Sequence, residues 1–584
     1  MTTAPHDSHD RSATAPAILT WPGDRLLPAG ALQALCGPGA PFERTTEEVL
    51  GVPVEVFVRR FPNLPALLEH ARTATPDLPY LVLEGPVQET ITYADAYDLV
   101  ASYAEVLAGR YGIGKGDRVA IAAPNTREHI LAYWATLTLG AIVVGLNGWW
   151  TPAEMDHGLA LTEPALLLGS GAPLERAAGT PWLKASGTPA LPLEDLHALA
   201  LALEEPPDRL PAVAVAEDDP AVIMFTSGTT GRPKGATISH RNFVFFSQHG
   251  MLGGAVTALL DAGRYREIPA GVQRASLVVS PLFHVSGAGI TFAAGPAVGL
   301  KLVFPGPGRW DAERALRLTH EYGITQWSGV PTHFWRMLAH PDFASFRTGQ
   351  VTMVGSGGTI FPPELMRHIR DEMPGVQLGN GYGMTETLGT GTLLTGSLLE
   401  EHPGSVGAAI PTVRVQVRDT DGKPLPEGEI GEIHIQGAGV FLGYWNNPEA
   451  TASVLDAERW YRTGDYGRIS GGLLHLESRI RDLILRGGEN IYPIEIEYRL
   501  VEHPAIAEAA VIGVPDKILG QEVKAYVVLE EGGALTADEV RAWAAETLAS
   551  FKVPSHVEFR EALPYNETGK VMKRLLEEEH GASV

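Results

Sequence analysis

Cysteine is all but missing from this chain: Cys36 stands alone among 584 residues. No intrachain disulfide can form, and a zinc site built on several thiolates is excluded. Long apolar runs are missing too. The longest, from Leu137 to Leu146, holds two glycines and is about half the roughly 20 residues that a membrane-spanning helix needs. Met1 to Pro16 are polar with no apolar centre, so they do not resemble a secretory signal. Basic charge is in deficit, with 45 Lys and Arg against 69 Asp and Glu and a formal net charge of −24. Such a surface argues against wrapping nucleic acid, whose binding depends on neutralising phosphates. It leaves room for a local basic pocket, because net charge describes the surface as a whole. These absences point to a soluble chain in the cytoplasm with no stable membrane insertion, and with loose membrane contact only if its substrate is a lipid.

What is present is globular material: 45% hydrophobic and 20% charged residues, close to the averages for folded domains. The length exceeds what one hydrophobic core supports, so at least two domains are expected. We expect a disordered tail over residues 1–17, a large domain over 18–480 and a smaller one over 481–584. From about Phe61 to Gly379, helical periods alternate with short apolar strands. Ala101–Arg110, Ala312–Tyr322 and Pro362–Met373 read as helices, and Arg118–Ala122, Ala221–Phe225 and Val351–Gly355 as strands. Strands alternating with helices imply an α/β architecture of parallel or mixed sheets covered by helices. The pattern then changes. Val413, Val415 and Val417 alternate with polar residues, Asp421-Gly422 marks a turn, and Ile430, Ile433 and Ile435 follow. That is hairpin patterning, as in a small β-barrel. The last hundred residues read as a small α+β unit with a helix opening at Pro493, strands near Ala509–Ile512 and Lys524–Leu529, and a helix over Ala537–Ala549.

The sharpest local feature is Thr226-Ser227-Gly228-Thr229-Thr230-Gly231-Arg232-Pro233-Lys234-Gly235, directly after the 221–225 strand and ahead of a helix starting near Ser239. Glycines let backbone N–H groups crowd round an anion, hydroxyls add donors, and Lys234 adds positive charge. This is the chemistry of a triphosphate cradle. It is not a Walker loop, since no Gly-Lys-Ser/Thr is present. Gly112 to Gly116 has dinucleotide-like spacing but lies after a helix and before a strand, the wrong order for that use.

The ten-residue segment resembles the phosphate loop of the adenylate-forming superfamily of acyl-CoA synthetases, adenylation domains and luciferases. Further stretches follow in the same order as in that family. Gly379-Asn380-Gly381-Tyr382-Gly383-Met384-Thr385-Glu386 is similar to its adenine and magnesium stretch, and Tyr461 to Asp465 to its ribose segment. Arg479 to Asp482 and Arg486 to Pro493 resemble its hinge and thiol-tunnel loop, with Arg481 where Asp or Lys is usual. Pro564 with Thr568-Gly569-Lys570 resembles its lysine motif. Taken singly, Glu386 could be a solvated carboxylate, Tyr382 a core aromatic, Asp465 a turn residue and Lys570 a surface lysine. The joint pattern argues otherwise.

The resemblance implies a parts list. Thr226, Ser227, Gly228, Thr229, Thr230, Gly231 and Lys234 would hold the β- and γ-phosphates of ATP. Glu386 would ligate Mg²⁺, and Thr385 would bond the α-phosphate. Gly381, Tyr382 and Gly383 would belong to the adenine site, with Tyr382 stacked on the base, and Gly357 is a further cofactor-binding candidate. Asp465, assisted by Arg479, would accept from the ribose hydroxyls. Lys570 would bridge the acid and the α-phosphate. The C-terminal domain would then rotate and bring Gly487 and Gly488 to the pantetheine arm of coenzyme A. His284, in Pro281-Leu-Phe-His-Val-Ser-Gly287, would sit near the substrate carboxylate. Small residues at 287–289 and 357–358, with no basic cluster, suit a hydrophobic carboxylic acid: fatty, aryl or steroid side-chain. The expected activity is ATP-dependent acyl-CoA synthesis through an acyl-AMP, with a homodimer left open. Two alternatives stand beside it, loading of a separate carrier protein and a non-catalytic binding protein of the same fold.

Overall fold

The computed structural model describes residues 17–19, 26–27, 30–85, 89–226, 232–306, 310–357, 361–479, 482–486, 489–530, 532–565 and 571–582. Two large sheets form the body of the molecule. In the nine-stranded sheet, Gln377–Tyr382, Met353–Gly357, Gln326–Gly329, Ala275–Leu277, Lys301–Phe304 and Pro79–Leu83 lie side by side and parallel. Their carboxyl ends therefore share one rim, where the loops of an α/β sheet gather round a ligand. Antiparallel strands close both edges.

The second sheet has seven strands, five of them parallel: Pro220–Thr226, Ile142–Gly145, Arg118–Ala122, Leu166–Gly169 and Ala190–Pro192. Ile142–Gly145 and Leu166–Gly169 are buried at every position, as parallel strands covered on both faces require. Helix His240–Leu260 opens with a reciprocal capping box between Ser239 and Asn242 and packs Phe243, Phe245, Leu252 and Val256 into the core. It is the one helix among the described residues long and apolar enough to cross a membrane, yet 56% of its apolar window is buried in the molecule.

The hairpin patterning resolves into a five-stranded antiparallel sheet of Ile18–Leu19, Val413–Arg418, Gly431–Gly437, Tyr461–Ser470 and Leu473–Arg479. Beyond residue 480, Ile506–Asp516 pairs antiparallel with Gly520–Leu529, and His556–Phe559 adds a parallel strand. That sheet has its own apolar cluster around Ile484, Val511, Val523 and Val540. The expected tail falls almost wholly outside the described residues.

Several expected elements shift. The helix read over Ala101–Arg110 runs from Tyr93 to Tyr111, because Thr92 and Asp95 form a capping box well upstream. The strand read at Val351–Gly355 is Met353–Gly357, with its register set by the neighbours on both sides. The helix near Ser239 starts there, but strand Lys234–Ser239 precedes it. The phosphate-loop motif thus bridges a β-hairpin rather than leading directly into a helix.

Candidate active site

Thr226 ends one strand of that hairpin and Lys234 begins the other, and the two are cross-strand partners. Ser227, Gly228, Thr229, Thr230 and Gly231 lie outside the described residues. The outer strand pairs with Gly443–Tyr444, placing Tyr444 opposite Ala236. Lys234 Nζ lies 5.1 Å from the centroid of the Tyr444 ring, within cation–π range.

Tyr444 also reaches the next part of the site. Its hydroxyl donates to Glu386 Oε1 at 2.8 Å, and the Tyr461 side chain is a further polar neighbour of Tyr444. Burial and the neighbouring Glu386 carboxylate raise the Tyr444 phenol above its ordinary range, so it stays protonated and remains a donor. Glu386 is 6% exposed and sits in the short turn Thr385–Thr387 after strand Gln377–Tyr382. Its carbonyl accepts from Phe441 N at 2.8 Å. The chain reverses tightly here: a Cβ on Gly383 would lie 2.3 Å from the carbonyl carbon of Gly389. Only glycine fits that approach.

Tyr382 donates to Asp465 Oδ2 at 2.8 Å in a buried contact, and Asp465 N donates to Thr463 Oγ1 at 3.0 Å. The expected adenine and ribose residues are therefore one hydrogen-bonded unit. Asp465 and Arg479 are cross-strand partners by backbone register. Gly357 and Gly381 are register partners at the rim, and no atom of the described residues lies within 4 Å of where a Gly357 Cβ would be.

Beside them is a feature that motif reading passed over. Asn380 is 1% exposed, and neither its Oδ1 nor its Nδ2 has a partner among the described residues. Its parallel neighbour Ser356 is buried and unpartnered as well. Burying such groups unpaired costs about 1–3 kcal/mol each. A donor-and-acceptor pair at a sheet rim fits the edge of a heterocyclic base.

His284 occupies the N-cap position of helix Val285–Gly289 and packs its ring 4.6 Å from that of Phe283. The segment is brought to the tyrosine–glutamate turn, since a Cβ on Gly389 would lie 3.2 Å from Val285 Cγ1. Tyr565 and Val571, which flank the expected lysine loop, are bridged antiparallel. Lys570 itself, Gly487, Gly488 and Arg481 lie outside the described residues, as does the side chain of Arg479. Arg486, next to the expected tunnel loop, pairs with Glu522 at 2.8 Å; that contact holds the Glu522 carboxyl down at about 2.

Among the described residues no cluster of three or more His, Cys, Asp and Glu side chains forms a metal cage. A lone buried carboxylate at Glu386 suits Mg²⁺, which takes one or two carboxylates and fills its remaining positions with phosphate oxygens and water.

Comparison with known proteins settles the family. A model described as AMP-binding enzyme matches residues 68–445, and one described as AMP-binding enzyme C-terminal domain matches residues 495–570. The chain belongs to the AMP-binding enzyme family. The enzyme is 35% identical over 488 residues to a feruloyl-CoA synthase of an Amycolatopsis species, covering 83% of this chain and 92% of the relative. It is 30% identical over 503 residues to a long-chain-fatty-acid–CoA ligase of Bacillus subtilis, covering 80% and 86%. The ATP-bound crystal structure of MatB from Rhodopseudomonas palustris superposes with a TM-score of 0.76 at 30% identity, over 89% of this chain and 99% of that one.

Proposed function

We propose that the enzyme is an ATP-dependent acyl-CoA synthetase acting on a hydrophobic carboxylic acid. It is an acid–thiol ligase of the AMP-forming kind. A carboxylate is a poor electrophile and needs a leaving group. Its oxygen attacks the α-phosphorus of ATP, the bond to the β-phosphate oxygen breaks, and pyrophosphate departs to leave an acyl-AMP. The thiol sulfur of coenzyme A then attacks the acyl carbon, AMP leaves, and the thiol proton is lost to solvent. Bringing two anions together demands fixed positive charge and aligned donors.

One observation carries this reading. The Lys234 hairpin, the Tyr444–Glu386 pair and the Tyr382–Asp465 pair meet at one end of the parallel strands. On this reading Lys234 and the hairpin loop hold the β- and γ-phosphates. Mg²⁺, when bound at Glu386, neutralises phosphate charge. Tyr382 and Asn380 face the base, Asp465 the ribose, and His284 the entering carboxylate. Lys570 bridges the acid and the α-phosphate. The relatives favour coenzyme A over a carrier protein as acceptor, being CoA ligases by name. Their names specify feruloyl and long-chain fatty acyl groups.

The test is pyrophosphate release with ATP, Mg²⁺ and a panel of fatty, aryl and steroid acids, with and without coenzyme A, in the wild type and in Lys570→Ala. One acid class should stimulate release, give the acyl-CoA when coenzyme A is present, and fail in the variant by at least about 100-fold. Release that persists in Lys570→Ala would remove the lysine from its role. Failure of every acid together with failure to bind ATP would overturn the activity.

A further inference from the structure

The phosphate-loop hairpin is held on its outer side by a helix that carries none of the recognised motifs. Helix Pro152–Thr162 follows the loop after strand Ile142–Gly145 and opens with a capping box between Thr151 and Glu154. It lies close against the hairpin because Gly158 has no side chain. A Cβ there would lie 2.9 Å from the Trp150 ring and 3.4 Å from the Phe225 ring. One turn further on, Leu161 Cδ2 is 3.8 Å from where a Gly235 Cβ would be, and the Leu161 carbonyl accepts from Asn446 Nδ2 at 3.3 Å. His157 stands four residues before Leu161, on the same face of the helix. Its Nε2 lies 3.0 Å from the Pro233 carbonyl oxygen.

That contact continues a sheet ladder past the point where its strand gives out. Along an antiparallel strand, alternate carbonyls face the same neighbour. Thr237 O accepts from Leu442 N at 2.9 Å, and Gly235 O accepts from Trp445 N at 2.7 Å. The next carbonyl on that side belongs to Pro233. The partner chain has by then turned away, with Asn447 N donating back to the Tyr444 carbonyl at 3.1 Å. His157 supplies the donor that the strand no longer offers. A carbonyl can only accept, so the proton is on Nε2, and the bond holds whether or not Nδ1 carries a second one. Proline has no N–H, so the carbonyl is the only backbone group of Pro233 by which the hairpin can be held there.

Lys234 follows Pro233 directly, is the cross-strand partner of Thr226 and carries its ammonium 5.1 Å from the Tyr444 ring centroid. A lysine is a point charge on a flexible stem, so where it meets a phosphate depends on how firmly its backbone is placed. Pairing with Thr226 fixes that backbone on the inner side, and His157 fixes it through Pro233 on the outer side. We propose that His157 is a positioning residue that sets the Lys234 end of the phosphate loop for the β- and γ-phosphates of ATP. This rests on the phosphate-holding reading of Lys234 given above and adds how that lysine is aimed. His157 acts on the hairpin alone. It therefore matters for a nucleotide that carries β- and γ-phosphates and not for AMP, whose base and ribose fall to Tyr382 and Asp465 on the same reading.

The experiment measures the affinities of ATP with Mg²⁺ and of AMP by titration calorimetry, with a thermal melt of each protein. Wild type is compared with His157→Phe, which keeps a ring but loses the donor, with His157→Ala, and with His157→Gln, which places an amide N–H where Nε2 stood. ATP binding should weaken by about 3- to 10-fold in His157→Phe and His157→Ala, the worth of one hydrogen bond. It should return to within about 2-fold of wild type in His157→Gln, while AMP binding stays within about 2-fold throughout. Unchanged ATP affinity in His157→Phe, an equal loss in His157→Gln, or weakening of ATP and AMP together would overturn the proposal and leave the phosphate-holding reading of Lys234 standing. If His157→Phe does not fold, His157→Ala decides, and failure of both to fold would overturn the proposal in favour of a purely structural role. A wild type that binds neither nucleotide would overturn the parent reading as well.

Discussion

Tyr444→Phe removes one oxygen atom from the centre of the site, and its consequences follow from the contacts it breaks. The hydroxyl donates to a Glu386 carboxylate that is 6% exposed, at 2.8 Å. A hydrogen bond to a buried charged acceptor is worth about 1.5–3 kcal/mol. The ring is retained, so its packing and its face towards Lys234 remain. The expected loss of stability is therefore about 1.5–3 kcal/mol without ATP or Mg²⁺. Part of that comes from the charge. With a neutral acceptor, as in Glu386→Gln, the same hydroxyl is worth about 0.5–1.5 kcal/mol.

A double-mutant cycle in urea isolates this difference. The coupling between Tyr444→Phe and Glu386→Gln should be about 1 kcal/mol or more. In pyrophosphate release, Tyr444→Phe alone should lower kcat/KM for ATP by about 10- to 30-fold, because a carboxylate that has lost its orienting donor is no longer held for the nucleotide. Additivity within about 0.3 kcal/mol, or a single-variant cost below 0.5 kcal/mol, would refute the claim that Tyr444 orients Glu386.

Lowering the pH should destabilise the fold through its buried histidines. His129 and His240 are held by burial at about 4 and His249 at about 3, against about 6.5 in an unfolded chain. Between those values the unfolded chain binds more protons, so stability is full above about 6.5 and falls as the pH drops towards 4. The loss at pH 5 is about 2 kcal/mol per histidine; an unchanged urea midpoint between pH 7 and pH 5 would count against their burial. Gly287→Ala should abolish acid activation or soluble expression, because the new Cβ would lie 2.2 Å from the Pro281 carbonyl oxygen, a backbone atom that cannot swing aside. Gly250→Ala, in helix His240–Leu260 with no atom of the described residues within 4 Å of the new Cβ, should instead raise the thermal midpoint slightly, by the roughly 0.5–1 kcal/mol that alanine gains over glycine in a helix. Similar melts for the two variants would refute the contrast.

Much of the fold was legible because its strands are short and continuously apolar and its helices carry side-chain caps. Arg118–Ala122 was read to the residue, and the strand before the phosphate loop to within a residue at each end. Strand Lys234–Ser239 was not legible, for a physical reason. Its sequence Lys-Gly-Ala-Thr-Ile-Ser has little strand propensity and is held by pairing on both sides, with Pro220–Thr226 and with Gly443–Tyr444. Pairing of that kind is a property of the sheet and leaves no mark on the segment.

The same distinction divides the site. Glu386, Tyr382 and Asp465 stand in stretches dense enough to be read as motifs, whereas Tyr444 stands in Gly-Tyr-Trp-Asn, 58 residues from the glutamate it touches. Nothing local sets that tyrosine apart from a core aromatic. Asn380 lay inside a recognised stretch and was still passed over, because an asparagine beside glycines reads as a turn residue. Only its burial in a parallel strand, with both polar atoms unpaired among the described residues, turns it into a group waiting for a partner. Motif density finds the residues that touch a ligand directly. The residues that aim them, and the polar atoms left unpaired until a ligand arrives, become visible only once strand register brings distant segments side by side.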